Sequence, residues 1–292
     1  MAAALPVVPP EWRGAIRRAA RAGVTMVVGE SDTGKTTLVT AIANALLARR
    51  LRVAVIDADL GQSEIGPPTT IGLGRVRHRL GRLADAEVIA LHFVGVTSPP
   101  RNLIGAIVGT RRMLDQARAA RFPRIVIDTS GLVSGVLGRT LKQAKIEVTD
   151  PDLVICLERS AECEHIVAAY GATTRPAVMR VPAAAAARAR GVDERRARRQ
   201  QRLDDYFASA RRVGLALSQV CVSGPGGDVL AVGEGTRGMD GTLVGLLDTT
   251  RATLGLGIVR GIDVVAGVIH VDTPIPEAKV ATVVIGGESY PA

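Results

Sequence analysis

Residues Val24–Thr36 read VTMVVGESDTGKT. The first five are apolar or β-branched with no in/out alternation, which predicts a strand buried on both faces. Gly29–Thr36, GESDTGKT, then match GxxxxGK[ST] in full, directly after that strand and directly before a helix opening at Lys35. The helix carries an apolar stripe at Leu38, Ile42, Ala45 and Leu46. Strand, glycine loop and helix in this order form a phosphate cradle. Gly29 and Gly34 let the backbone curl so that the N–H groups of Glu30, Ser31, Asp32, Thr33, Lys35, Thr36 and Thr37 converge on phosphate oxygens. Lys35 is the cation for the β/γ-phosphates, the Thr36 hydroxyl is a Mg²⁺ ligand, and the helix N-terminus adds positive potential.

Working outward, short apolar runs alternate with helical patterns: RVAVID, VIALHFVG, a helix to about Ala120, RIVID, another helix, and DLVICLE. This βαβ alternation predicts an α/β fold of the P-loop NTPase class, a three-layer parallel sheet with ligands at the carboxyl ends of its strands. From about Arg180 the composition turns to Ala/Arg, predicting an exposed or mobile helical stretch over about 185–207. From about Gly214 glycine-punctuated runs such as QVCVSG, DVLAVGEG and KVATVVIGG predict a small antiparallel β domain. The expected division is an arm over 1–22, a P-loop domain over 23–207 and a β domain over 208–292.

The 292 residues are 47% hydrophobic, enough for a sizeable core, and carry a formal charge of +9, a balance suited to polyanionic partners. Arginine supplies nearly all of it. Cys156, Cys163 and Cys221 lack metal-site spacing and read as reduced core thiols, and the four histidines are scattered singly. No apolar run approaches ~18 residues and no basic start precedes the first one, so a cytoplasmic chain without a membrane partner is expected.

Two acids end apolar strands: Asp57 in VAVID and Asp128 in RIVID. Carboxylates at adjacent strand ends beside a phosphate loop are costly to desolvate without a cation, so Asp57 and Asp128 join Thr36 as expected Mg²⁺ anchors. No guanine-reading [NT]KxD signature is present. Glu30 and Ser31 stand where a partitioning ATPase carries its extra lysine.

Four blocks resemble the polynucleotide 5′-hydroxyl kinases typified by the RNA kinase of messenger-RNA 3′-end processing: GESDTGKTTL, DADLGQSEIGPPTTIG, FVGVTSPPRN and ERRARRQQRLDDYF. Their order and spacing over about residues 24–207 agree with that family. The resemblance implies ATP and Mg²⁺ as cofactors and the 5′-OH end of RNA, or alternatively of DNA, as acceptor. It implies Asp59 as the base toward the acceptor hydroxyl, Gln62, Thr97, Arg101 and Asn102 as acceptor-holding residues, and Arg195, Arg196 and Arg199 as lid cations closing on the transferring phosphoryl. Glu64 is left without a role. The given sequence departs from the pattern in that only about twenty residues precede the first expected strand, where the eukaryotic members open with a β domain, and in carrying Gly131 and Leu132 where those members place an aromatic that stacks on the terminal base. Three other readings stay open: a nucleotide-binding regulatory protein without kinase activity, a partitioning or assembly ATPase, and a small-molecule kinase.

Overall fold

The structure, a computed structural model, describes residues 5–185, 188–224, 227–230 and 238–291. The first residues of the expected arm, two residues of the expected lid and most of DVLAVGEG lie outside these.

Among the described residues thirteen strands form one sheet. Its parallel centre is β7 (Ala177–Pro182), β6 (Leu153–Glu158), β1 (Val24–Gly29), β5 (Arg124–Thr129) and β2 (Val53–Ala58), in that spatial order. These are the buried apolar runs of the sequence, and alternate residues of β1 feed opposite cores. Met26 and Val28 join the side covered by α3 (Leu103–Ala119) and α4 (Gly135–Thr149). Val27 joins the side covered by α1 (Arg13–Ala19) and α2 (Lys35–Ala48). The P-loop architecture is therefore built as expected, helices on both faces of a largely parallel centre.

Beyond β2 the sheet turns antiparallel. β3 (Thr70–Val76) returns beside β2, with Asp57 opposite Gly72, and β4 (Glu87–Phe93) pairs antiparallel to β3. VIALHFVG is thus half-exposed and antiparallel, not one of the buried parallel strands expected. The reason is connection length: parallel neighbours need a crossover, usually helical, and neither the link before β3 nor the link after it contains an α-helix. TIGLGRV gave little strand signal because glycines interrupt it. A Cβ at Gly72 would lie 1.9 Å from the Ile65 carbonyl oxygen, so the loop after β2 packs directly on the β3 backbone.

The C-terminal strands continue the same sheet. β11 (Thr253–Asp263) meets β4 through Thr253 and Leu91, then β10 (Thr242–Leu247), β13 (Thr282–Ser289) and the edge strand β9 (Cys221–Ser223) follow. β12 (Val268–Thr273) and β8 (Arg211–Ala216) branch from β11. These strands enclose a core of their own around Val244, Leu246, Val259 and Val271. Cys156 and Cys163 are buried free thiols as expected, but Cys221 is exposed. It occupies an outward position of an edge strand, where a cysteine has no core to enter. Among the described residues no helix is long and apolar enough to cross a membrane.

Candidate active site

The carboxyl ends of the central strands open into a cavity of about 590 Å³. Ser31, Asp32, Gly34, Lys35, Thr36 and Thr37 line one wall. Gly34 caps α2 in the left-handed region, φ 95°, and a Cβ there would sit 3.0 Å from the buried Trp12 ring. Gly29 is equally constrained, since a Cβ would approach the Leu157 carbonyl oxygen to 2.3 Å. Gly29, Glu30 and Thr33 are not among the residues that line the cavity. The Glu30 carbonyl accepts hydrogen bonds from the Thr33 hydroxyl and the Lys35 ammonium. Burial pulls the Lys35 pKa below its ordinary value, against the attraction of Asp128.

Thr36 donates its hydroxyl to Asp128 Oδ2 at 2.6 Å. Asp128 Oδ1 is buried without a hydrogen-bond partner among the described residues, an arrangement that costs free energy unless a cation or its water completes it. Burial raises the Asp128 pKa to about 6, although the Thr36 hydroxyl and the nearby Lys35 charge oppose the shift. No group of three acidic, histidine or cysteine side chains forms a closed metal cage among the described residues. Mg²⁺ needs none: it is ordinarily held by one or two protein ligands together with phosphates and waters. The Thr36–Asp128 pair with its bare oxygen fits that ion.

Asp57, the register partner of Asp128, is used differently. Its Oδ1 accepts the Asp59 N–H at 3.1 Å, and its Oδ2 accepts the N–H groups of Glu64 and Ile65 at 2.5 and 3.0 Å. Both oxygens are thus engaged in folding the loop over residues 59–66 onto the strand end, and Asp57 is not among the residues lining the cavity. Burial and the neighbouring Asp128 charge push its pKa well up. Asp59 does line the cavity, with one oxygen pinned by the N–H groups of Gly61 and Gln62 at 3.1 and 3.0 Å. Beneath the acids, α4 contributes two fully buried lysines absent from the sequence expectations. Lys142 donates to Thr129 Oγ1 at 3.0 Å, and Lys145 reaches the Ala58 carbonyl at 3.4 Å. Burial lowers both pKa values, that of Lys145 to about 8, with Asp59 and Asp57 resisting. A buried lysine on an apolar helix face is the signal that could have revealed them.

The lid is α6 (Val192–Phe207), anchored at both ends. Arg195 pairs with Asp32 of the phosphate loop at 2.6 Å, and the Arg190 N–H donates to the same Asp32 oxygen at 3.0 Å. Burial works against the charge on Asp32, but the Arg190 N–H and Arg195 hold its pKa below the usual value. Arg198 pairs with Glu64, which gives that residue its contact, and Arg202 donates to the carbonyls of Glu64 and Gly66 at 2.6 and 3.0 Å. Gln62 Nε2 reaches the Arg195 carbonyl at 3.3 Å, while its buried Oε1 has no partner among the described residues. Of the three lid arginines expected in the site, only Arg195 lines the cavity; Arg196 and Arg199 do not. Arg188, Arg190 and Arg198, which sequence reasoning overlooked, do. The contacts follow the row 195, 198, 202, an i, i+3, i+7 stripe of the helix. Tyr206 and Phe207 face the other way: the Tyr206 hydroxyl accepts the Leu256 N–H at 2.8 Å and Phe207 packs with Phe93, Leu243 and Ile258, hinging the lid on the C-terminal strands.

Thr97, Arg101 and Asn102 are outside the cavity lining. Thr97 N–H and hydroxyl both donate to Glu288 at 2.9 Å, and Arg101 pairs with the same carboxylate at 2.6 Å. Asn102 caps α3 by accepting the Gly105 N–H at 2.8 Å. Leu132 packs on the core, while Gly131 lines the cavity so close to Ser31 that a Cβ would lie 2.1 Å from its hydroxyl oxygen.

Comparison with known proteins agrees with this geometry. Residues 29–209 match the family described as mRNA cleavage and polyadenylation factor CLP1 P-loop. The chain belongs to the CLP1 P-loop family. A polyribonucleotide 5′-hydroxyl kinase of Pyrococcus furiosus is 31% identical over 87% of this chain and 83% of its own length. One of Pyrococcus abyssi is 36% identical over 68% of this chain, which spans 54% of that relative, and the Clp1 kinase of Xenopus tropicalis is 28% identical over 67% of this chain and 46% of its own length. The solved Clp1p–Pcf11p complex contains a chain of the same fold, with TM-score 0.74 at 12% identity over 94% of this chain and 77% of that one.

Proposed function

We propose that this CLP1-family chain is an ATP-dependent polynucleotide 5′-hydroxyl kinase acting on RNA ends. The observation that carries the proposal is one cavity holding a phosphate loop, a Thr36–Asp128 pair with a bare oxygen, and Asp59 facing the lid cations. Bound Mg²⁺ would neutralise charge developing on the phosphates, with Thr36 and Asp128 as its protein anchors. Asp57 would hold the loop that aims Asp59, a role its three backbone hydrogen bonds favour over metal ligation.

In the reaction, Asp59 takes the proton of the 5′-hydroxyl as its oxygen bonds the γ-phosphorus of ATP, and the bond from that phosphorus to the bridging oxygen breaks, releasing ADP. Lys35 leaves the Glu30 carbonyl for the phosphates, while Arg195 and Arg198 stabilise the transferring group and exclude water. Gln62 Oε1 is an open acceptor for the substrate. None of the described cavity-lining residues is aromatic, so the terminal base is held without a stacking platform worth about 1–3 kcal/mol, and weak discrimination among terminal bases is expected. The proposed division places the kinase chemistry within 23–207, with the C-terminal strands serving as the lid's hinge and as the tie for Thr97 and Arg101.

The test is transfer of labelled γ-phosphate from ATP to 5′-OH RNA and DNA oligonucleotides. Transfer to RNA, abolished by Asp59→Asn with ATP binding retained, is expected. No transfer to either acceptor by a protein that binds ATP would overturn the proposal.

A further inference from the structure

We infer that the face at the amino ends of the parallel strands, opposite the cavity, is a second binding surface for the sugar–phosphate backbone of the acceptor RNA. The inference rests on the kinase reading for its ligand.

Helices α1, α2 and α3 all end at this face. Arg17, Arg18 and Arg21 stand at the end of α1, Arg49 and Arg50 after α2, and Arg121 after α3. All six are exposed, and none has a side-chain hydrogen bond or ion pair among the described residues. Two further arginines tie the turns together. Arg124 reaches the Ala20 carbonyl at 3.4 Å, and Arg52 donates to the Ala120 and Arg121 carbonyls at 3.0 and 3.3 Å while lying over the Phe122 ring. The acids at this end are occupied: Asp150 and Asp152 both pair with Arg175, and Asp152 also accepts the N–H groups of Gly23 and Val24. A groove of about 540 Å³ runs beside α1, lined by Arg17, Arg18 and Arg21 together with the paired Asp152.

Basic residues after a helix also complement its dipole, which is the plain alternative. Backbone geometry argues for more than that. Arg50 and Arg121 lie just past α2 and α3 with φ of 60° and 55°, the left-handed position where glycine is favoured. Charge is thus kept at two strained positions on one face. Guanidinium groups without carboxylate partners are suited to bidentate phosphate contacts. No exposed large hydrophobic of the described residues lies on α1, α2 or the turns after α2 and α3, which favours a nucleic acid over a protein partner. The fourteen residues of α2 separate the cavity from this face by about 21 Å, so an acceptor needs roughly six stacked nucleotides, at about 3.4 Å each, to touch both.

The experiment compares the wild type with Arg17→Gln/Arg18→Gln/Arg21→Gln and with Arg50→Gly/Arg121→Gly, using 4-nucleotide and 20-nucleotide 5′-OH RNAs for kinase assays and a labelled 5′-phosphorylated 20-mer for binding. Expected are about tenfold or greater loss of 20-mer affinity, a salt slope reduced by about 0.7 per phosphate contact removed, and unchanged turnover of the 4-mer. The glycine pair should weaken 20-mer binding while raising Tm by about 2–4 °C, which a merely structural role for these side chains would not produce. Unchanged 20-mer affinity and salt slope, or equal losses on both acceptor lengths, would overturn the inference. Activity of the 4-mer reports on the kinase reading independently.

Discussion

Asp57 and Asp128 are register partners on neighbouring parallel strands, each the acid at the carboxyl end of an apolar run, yet the chain uses them in opposite ways. Around Asp57 the loop doubles back and presents three backbone N–H groups, so the carboxylate organises chain. Around Asp128 the loop leads away toward Gly131 and α4, and among the described residues Thr36 is the one side chain that hydrogen-bonds the acid, so one oxygen stays bare. Equivalent positions in a sheet therefore carry different chemistry according to where the following backbone goes. The lysines below repeat the division, Lys145 serving the β2 end and Lys142 the β5 end.

The largest way to break this comparison is at the bare oxygen. Asp128→Ala should lower kinase turnover about 10³-fold, the several kcal/mol a metal ion contributes to phosphoryl transfer, with ATP-independent folding intact by circular dichroism. Retained Mg²⁺-dependent turnover would place the metal elsewhere.

Next is pH. Asp128 has a folded pKa of about 6 against an ordinary 3.8, so the folded state holds a proton that the unfolded state has already released. Its contribution to stability is complete below the unfolded value and is lost as pH rises through about 6. Metal-free protein should therefore melt lower at pH 7 than at pH 5, an effect on the order of 1 kcal/mol, because only the part of the shift between pH 5 and the folded value is lost in that window. Asp128→Asn should flatten that dependence, and a Tm rising from pH 5 to 7 would contradict the assignment.

Asp57→Asn tests the other acid. An amide donor facing backbone donors should cost about 2 kcal/mol of stability and shift the acceptor KM through Asp59, while the Mg²⁺ concentration for half-maximal activity stays put. A large change in Mg²⁺ requirement with unchanged stability would return Asp57 to the metal. The smallest effect is at the lid. The Glu64–Arg198 pair is partly exposed on the arginine side, so a double-mutant cycle with Glu64→Gln and Arg198→Gln should give about 1 kcal/mol or less of coupling in kcat/KM. Zero coupling would mean that the docking of α6 on the loop does not persist in the working enzyme.

Much of the site was legible because its chemistry is local. Lys35, Thr36 and Asp128 are placed by a contiguous motif and by the end of an apolar strand. The lid arginines were visible as a run, but which of them face the cavity depends on the rotation of α6, fixed by Tyr206 and Phe207 docking on strands some fifty residues later. Thr97 and Arg101, expected from the family resemblance to hold the acceptor, also contact Glu288, a partner too far away in sequence to be read from it. β3 was missed because its glycines accommodate Ile65, a packing demand that local propensity does not record.

What the sequence by itself determined is the phosphate loop, the layered α/β frame around it and the acids at the strand ends, since each follows from short-range periodicity and backbone sterics. Only the tertiary structure decided that Asp57 holds chain while Asp128 keeps an oxygen free, that Lys142 and Lys145 lie beneath them, and that unpaired arginines from three helix ends gather on one face. Those outcomes depend on which distant backbone groups are left to satisfy a buried charge, and that is settled only when the elements pack.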